Sequence, residues 1–108
     1  MEGLELTAFQ IISSVGTARS CYIEAIQAAK KSDYEEAEKL IKEGDEAFIE
    51  GHDAHAGLLQ KEASGEGNTV NLLILHAEDQ LMSAEAFKTI ALEFIDAYKR
   101  IEALEKQA

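Results

Sequence analysis

Hydrophobic positions along this 108-residue chain recur at helical spacing in three long runs. In the first, Ala8, Ile11, Val15, Ala18, Tyr22, Ala25 and Ala29 lie three or four residues apart, which predicts an amphipathic helix from Leu4 to about Lys31. A second stripe, Tyr34, Ala37, Ile41, Gly44, Phe48, Gly51, His55 and Leu58, predicts a helix running to about Ala63. Between them, Lys30 and Lys31 close one helix with positive charge, and Ser32 with Glu35 three residues on reads as a capping box that opens the next. Ser64-Gly65-Glu66-Gly67-Asn68 is the one glycine cluster and marks the second connection. A phosphate-cradling reading of that loop lacks the Lys-Ser or Lys-Thr pair that a P-loop needs next.

The third helix, expected from about Thr69 to Lys106, carries two apolar stripes. One holds Val70, Leu73, Ala77, Leu81, Ala84, Phe87, Ala91, Phe94 and Tyr98; the other holds Leu72, Leu75, Asp79, Met82, Ala86, Ile90, Ala97, Ile101 and Leu104. A three-helix protomer needs one broad stripe per helix, so the second implies packing against further copies of the chain. Asp79 stands inside that second stripe. A carboxylate there is tolerable where several copies converge around a cation or share protons, or where it lies at a wet edge bonded to a neighbour.

Composition narrows the picture to a small, single, all-α domain spanning residues 1–108. The chain is 46% hydrophobic but 6% aromatic, without Trp or Pro, a mix that suits closely packed helices rather than a sheet. Its net charge of −11 argues against nucleic acid as a main partner, because phosphate contacts need basic patches. With Cys21 as the single cysteine no intrachain disulfide can form. Met1-Glu2-Gly3-Leu4-Glu5 has no basic region followed by an apolar stretch, and no apolar run approaches the roughly 20 residues that span a bilayer. A cytoplasmic protein without membrane insertion is expected.

Chemistry concentrates at His76-Ala77-Glu78-Asp79-Gln80-Leu81-Met82, which follows the apolar run Val70-Asn71-Leu72-Leu73-Ile74-Leu75. A histidine set into an oily helix is either a satisfied core group or a reactive one. At helical spacing His76, Gln80 and Ser83 share a strip, so amide and hydroxyl groups can fix the ring or donate to a phosphoryl oxygen, while the imidazole stays neutral and nucleophilic. His52 and His55 are one turn apart and read as surface or packing histidines near a helix seam, or as a weak metal site. A two-metal bundle would show Glu-x-x-His, but Ile49, His52 and Leu73 stand three residues before the histidines. Cys21 reads as core rather than nucleophile.

Several segments together resemble the enzyme IIA proteins of the lactose/cellobiose (N,N′-diacetylchitobiose) class of the bacterial sugar phosphotransferase system. Ile11-Ile12-Ser13-Ser14-Val15-Gly16-Thr17-Ala18-Arg19-Ser20 is similar to that family's first-helix pattern, and Ala28 through Ala37 to its first interhelical connection. Glu62 to Gly67 with His76 to Met82 resembles its Gly-Glu-Gly loop and active-site helix. The match covers nearly the whole chain in order.

The resemblance implies an antiparallel three-helix bundle assembling into a nine-helix homotrimer. It implies a phosphotransferase component in which His76 accepts a phosphoryl group from the histidine-containing phosphocarrier protein and passes it to a cysteine of the cognate enzyme IIB. Gln80 and Ser83 would then contact the phosphoryl group or the partner. Asp79 matches the aspartate that faces the threefold axis, where a divalent cation such as Mg²⁺ sits. The sugar, a disaccharide such as lactose or cellobiose, is chosen by the membrane component. The chain departs from the family's common His-Ala-Gln-Asp-His-Leu-Met at Glu78 and Gln80; a carboxylate at 78 repels a phosphoryl dianion unless it points away. As an alternative, Lys31 to Leu40 resembles a tetratricopeptide helix junction, implying a non-enzymatic helical protein-interaction module, although stacked repeats need about three units.

Overall fold

The computed structural model describes residues 3–67 and 69–108; Met1 and Glu2 of the N-terminus and Asn68 of the glycine-rich connection lie outside the described residues. All three expected helices form: α1 (Gly3–Lys30), α2 (Tyr34–Ala63) and α3 (Leu72–Gln107), with no strand among the described residues. They run up, down and up in a rod of 62 × 21 × 20 Å. The three helices are as the periodicity predicts, and their antiparallel bundle is as the resemblance implies.

Both connections use one device. At the end of α1, Ser32 takes a left-handed backbone with φ 65°, and its N–H donates to the Ala29 carbonyl while the Asp33 N–H reaches the Ala28 carbonyl, each at 2.9 Å. At the end of α2, Gly65 has φ 90°, with Gly65 N–H donating to Glu62 at 3.1 Å and Glu66 N–H to Lys61 at 3.2 Å. This paired closure satisfies the last orphan carbonyls of a helix. Because Ser32 is committed to ending α1, the α2 cap falls to the next residue: Asp33, not Ser32, accepts the Glu36 N–H at 3.2 Å. α3 begins at Leu72 rather than Thr69, because Asn71 is extended and its side chain caps the Ile74 N–H at 3.0 Å.

α1 is the spine. Its whole expected stripe, Ala8 to Ala29, is buried. The lower α1 residues Ala8, Ile11 and Val15 meet Ala77, Leu81 and Ala84 of α3; higher up, Ala18 and Tyr22 meet Ala91, and Ala25, Ala28 and Ala29 meet Ile95. Small residues set the spacing to α2: a Cβ at Gly44 would lie 2.6 Å from the Tyr22 ring, and one at Gly51 2.6 Å from Val15 Cγ1. Two members of the first α3 stripe depart from expectation: Val70 precedes the helix and is exposed, and Phe94 is exposed while Ile95 fills the core.

α1 packs along both other helices, whereas α2 and α3 meet far less. Polar rungs cross their seam. His55 pairs with Glu78, Lys88 Nζ lies 3.1 Å from Asp45 Oδ2, and the Lys99 ammonium lies 5.4 Å from the centre of the Tyr34 ring. Between rungs the seam opens into a groove of about 570 Å³ whose walls include Phe48, Ile49, Glu85 and Leu92. No helix among the described residues is long and apolar enough to cross a membrane.

Candidate functional site

His76 sits in the second turn of α3, where the Asn71 cap fixes the helix start and Ala77 and Leu81 anchor the inner face against α1. Its own side chain faces outward and is exposed. Leu72 and Leu73, one turn before it, form with His76 an open hollow of about 500 Å³. Leu72 is 82% exposed there. Leaving so much apolar surface wet costs roughly 25 cal/mol per Å² relative to burial, so a fold that keeps it uncovered beside an imidazole presents a surface for something else to cover.

The expected polar strip is present, but its bonds differ from the expectation. Gln80 and Ser83 are half-buried on the same flank. Among the described residues neither bonds the His76 ring. Ser83 Oγ instead accepts from Arg19 Nη1 at 3.4 Å, a reach from α1 to α3. Arg19 was not among the residues singled out for chemistry. A signal was available, since it is the single Lys or Arg in the first 29 residues of an acidic chain. A guanidinium offers five donors, and among the described residues this one uses a single long bond.

Glu78 faces the opposite side of α3 from His76. Two residues along a helix turn a side chain through about 200°, and the carboxylate is drawn across the seam to His55 Nε2. It therefore points away from any group carried on His76. His55 is half-buried by this pairing. His52 lies against Phe48, ring centres 5.9 Å apart, with Asp53 at 4.0 Å. Neither forms a metal centre: among the described residues no three His, Cys, Asp or Glu side chains gather as a ligand set.

Asp79 is exposed in the protomer, as is the stripe around it. Met82 is 64% and Leu104 66% exposed, and Leu75, Ile90 and Ile101 are also uncovered. Cys21 is half-buried; burial first, then Glu43 and Glu24, push its thiol above the usual range, which suppresses the thiolate a nucleophile needs.

Comparison with known proteins gives a consistent result. The family model for "PTS system, Lactose/Cellobiose specific IIA subunit" matches residues 6–99. The chain is 39% identical over 95 residues to the oligo-beta-mannoside-specific EIIA component of Bacillus subtilis (strain 168), covering 88% of this chain and 86% of that one. It is 42% identical over 100 residues to the lichenan-specific phosphotransferase enzyme IIA component of the same organism, covering 93% and 91%. The crystal structure of the cellobiose-specific enzyme IIA from Bacillus anthracis superimposes with a TM-score of 0.91 at 40% identity, covering 95% of each chain.

Proposed function

Because this chain belongs to the lactose/cellobiose-specific IIA subunits of the phosphotransferase system, we propose that His76 is the residue on which it carries a phosphoryl group. The chain is a phosphotransferase component, a phosphocarrier working between a donor phosphocarrier and an enzyme IIB. The observation that carries His76 is its setting. His76 shares its hollow with Leu72 and Leu73 alone, whereas His55 is tied to Glu78, and His52, on the wall of the α2–α3 groove, lies against Phe48 and Asp53.

The chemistry is two in-line displacements at phosphorus, with one ring nitrogen of His76 as nucleophile in the first and leaving group in the second. The lone pair of neutral His76 attacks phosphorus on the phosphohistidine of the histidine-containing phosphocarrier protein. A new N–P bond forms as the donor's N–P bond breaks, and the donor imidazole leaves with its electron pair. A cysteine thiolate of the cognate enzyme IIB then attacks the same phosphorus, forming S–P and returning His76 to its neutral state. Such transfers ask the protein for alignment and exclusion of water more than for covalent help. Leu72 and Leu73 provide the dry rim that a docked partner seals, and Gln80 and Ser83 supply a donor and a hydroxyl along the strip. Both partners use this surface in turn.

Three copies assemble through the exposed α3 stripe into a nine-helix homotrimer. Asp79 then meets its symmetry mates at the axis. The described residues of one protomer offer no ligand set, but three carboxylates supply the hard oxygen donors that Mg²⁺ or another divalent cation prefers, and without a cation they repel one another. A cation there would neutralise charge and hold the assembly. The complex serves uptake of a disaccharide such as lactose or cellobiose, and it works in the cytoplasm beside its phosphoryl donor.

Mass spectrometry after incubation with the donor protein, enzyme I and phosphoenolpyruvate tests the assignment. The native chain and the His52→Ala and His55→Ala variants gain one acid-labile phosphoryl group, and His76→Ala gains none. Equal uptake by His76→Ala would refute it.

A further inference from the structure

We infer that Arg19 of one protomer pairs with Glu85 of the next, seating the α1 flank of each copy in the α2–α3 groove of its neighbour. The inference rests on the threefold assembly proposed above. Its starting point is an imbalance of charge. Arg19 is the single Lys or Arg before Lys30, and none occurs between Lys61 and Lys88. The half of the rod that carries His76 therefore has one cation on its α1 and α3 faces, against Glu5, Glu78, Asp79 and Glu85. Arg19 is half-buried, bonded only to the Ser83 hydroxyl, and has no carboxylate partner among the described residues. Glu85 is exposed at the groove wall and likewise has no ion pair among the described residues. The other charges of the groove are already matched, since Asp45 accepts from both Tyr22 and Lys88.

Helix geometry brings these two together. With the direction of Asp79 taken as zero and 100° per residue, Leu72, Ala86, Ile90 and Ala97 all lie within about 20° of it. Ser83, which holds Arg19, lies about 40° to one side, toward α1; Glu85 lies about 120° to the other, toward α2. Rotation about an axis along the Asp79 face sets the α1 flank of each copy against the α2 flank of the next and leaves height unchanged. Ser83 and Glu85 are two residues apart, about 3 Å of rise, so the guanidinium arrives level with the carboxylate. Apolar surface is complementary as well: Phe9 and Ile23 stand exposed on α1, and Ile49 and Leu92 line the groove. Each copy brings a charge of −11 to the assembly, so a cation placed against a neighbour's carboxylate offsets repulsion where contact is closest.

Sedimentation of the full chain at low salt, across a dilution series, tests the pairing. Arg19→Glu and Glu85→Arg should each raise the concentration at which the trimer dissociates by about tenfold or more. The double swap Arg19→Glu/Glu85→Arg should return it to within about threefold of native. Circular dichroism of each variant confirms that the helices persist. In a Cys21→Ser background, Arg19→Cys/Glu85→Cys with a short bis-maleimide should give covalent species ending at three copies. A native trimer that is indifferent to the single swaps, or a double swap no better than the worse single, overturns the pairing alone. A native chain that sediments as one protomer overturns the threefold assembly and the pairing with it.

Discussion

Two glycines on α2 make opposite demands, and exchanging each for alanine separates packing from helix propensity. At Gly44 an added Cβ would lie 2.6 Å from Tyr22 Cε1, 3.0 Å from Cδ1 and 3.1 Å from Cζ. The ring cannot easily yield: it is fully buried, and its hydroxyl is held by Asp45 at 2.7 Å. Overpacking of this kind costs about 1–3 kcal/mol, and a ring pinned along its face and at its tip puts the cost near 3. Alanine returns about 1 kcal/mol of helix propensity, leaving Gly44→Ala less stable by about 2 kcal/mol. At Gly57 nothing lies within 4 Å of the same Cβ, so Gly57→Ala gains about 1 kcal/mol. The two identical substitutions should differ by about 3 kcal/mol. Urea unfolding followed by circular dichroism reads this, at one fixed chain concentration because the proposed assembly would couple stability to concentration. With a slope of about 1–3 kcal/mol per M, the Gly44→Ala midpoint falls by about 1 M and that of Gly57→Ala rises by roughly half as much. With the ring removed by Tyr22→Leu, Gly44→Ala should turn from destabilising to stabilising by up to about 1 kcal/mol. If Gly44→Ala matched Gly57→Ala, the pinned-ring reasoning would fail.

Burial first, then the bond to Asp45, raises the Tyr22 hydroxyl well above the ordinary tyrosine value. Below about pH 10 both folded and unfolded chains keep that proton; above it only the folded chain does, so stability falls as pH climbs, and tyrosinate absorbance should show Tyr22 ionising only as helicity is lost. Early ionisation of all three tyrosines in a still-helical chain would contradict this. Glu78→Gln should leave phosphoryl uptake at His76 within about twofold while lowering stability by about 1 kcal/mol or less, the scale of a partly exposed pair; a large change in uptake would mean that Glu78 reaches the phosphoryl group. A chelator should loosen the native trimer and leave Asp79→Asn unaffected in sedimentation, and equal sensitivity of the two would count against a cation at Asp79.

The helices were legible because a buried stripe leaves its period in the sequence. All seven α1 positions and the full α2 stripe face inward. End effects were legible only where residue type matches backbone. Gly65 announces a left-handed closure, whereas Ser32 adopts the same closure while looking like a cap, and so displaced the expected α2 start onto Asp33. Contacts between distant helices left no such trace. Arg19 meets Ser83 across 64 residues of sequence, and Glu78 finds His55 across the seam; local spacing encodes neither. His76 could be singled out as a polar residue after an oily run. That it stands beside an uncovered leucine, with no bond to its ring among the described residues, follows only from the packing of α1 against the other side of its helix.

The exposed stripe of α3 also fixes the shape of whatever forms along it. Asp79, Ile90 and Ile101 are eleven residues apart, as are Met82, Glu93 and Leu104, and Ala86 and Ala97. Eleven residues make three turns at about 3.67 per turn, close to the natural pitch, whereas a seven-residue repeat forces helices to wind left-handed around one another. Along this stretch three parallel copies can stand nearly straight, with each layer stacked over the last, so that Asp79, Ile90 and Ile101 of each copy would share one line, and Glu93 would stand on a second line about 60° away.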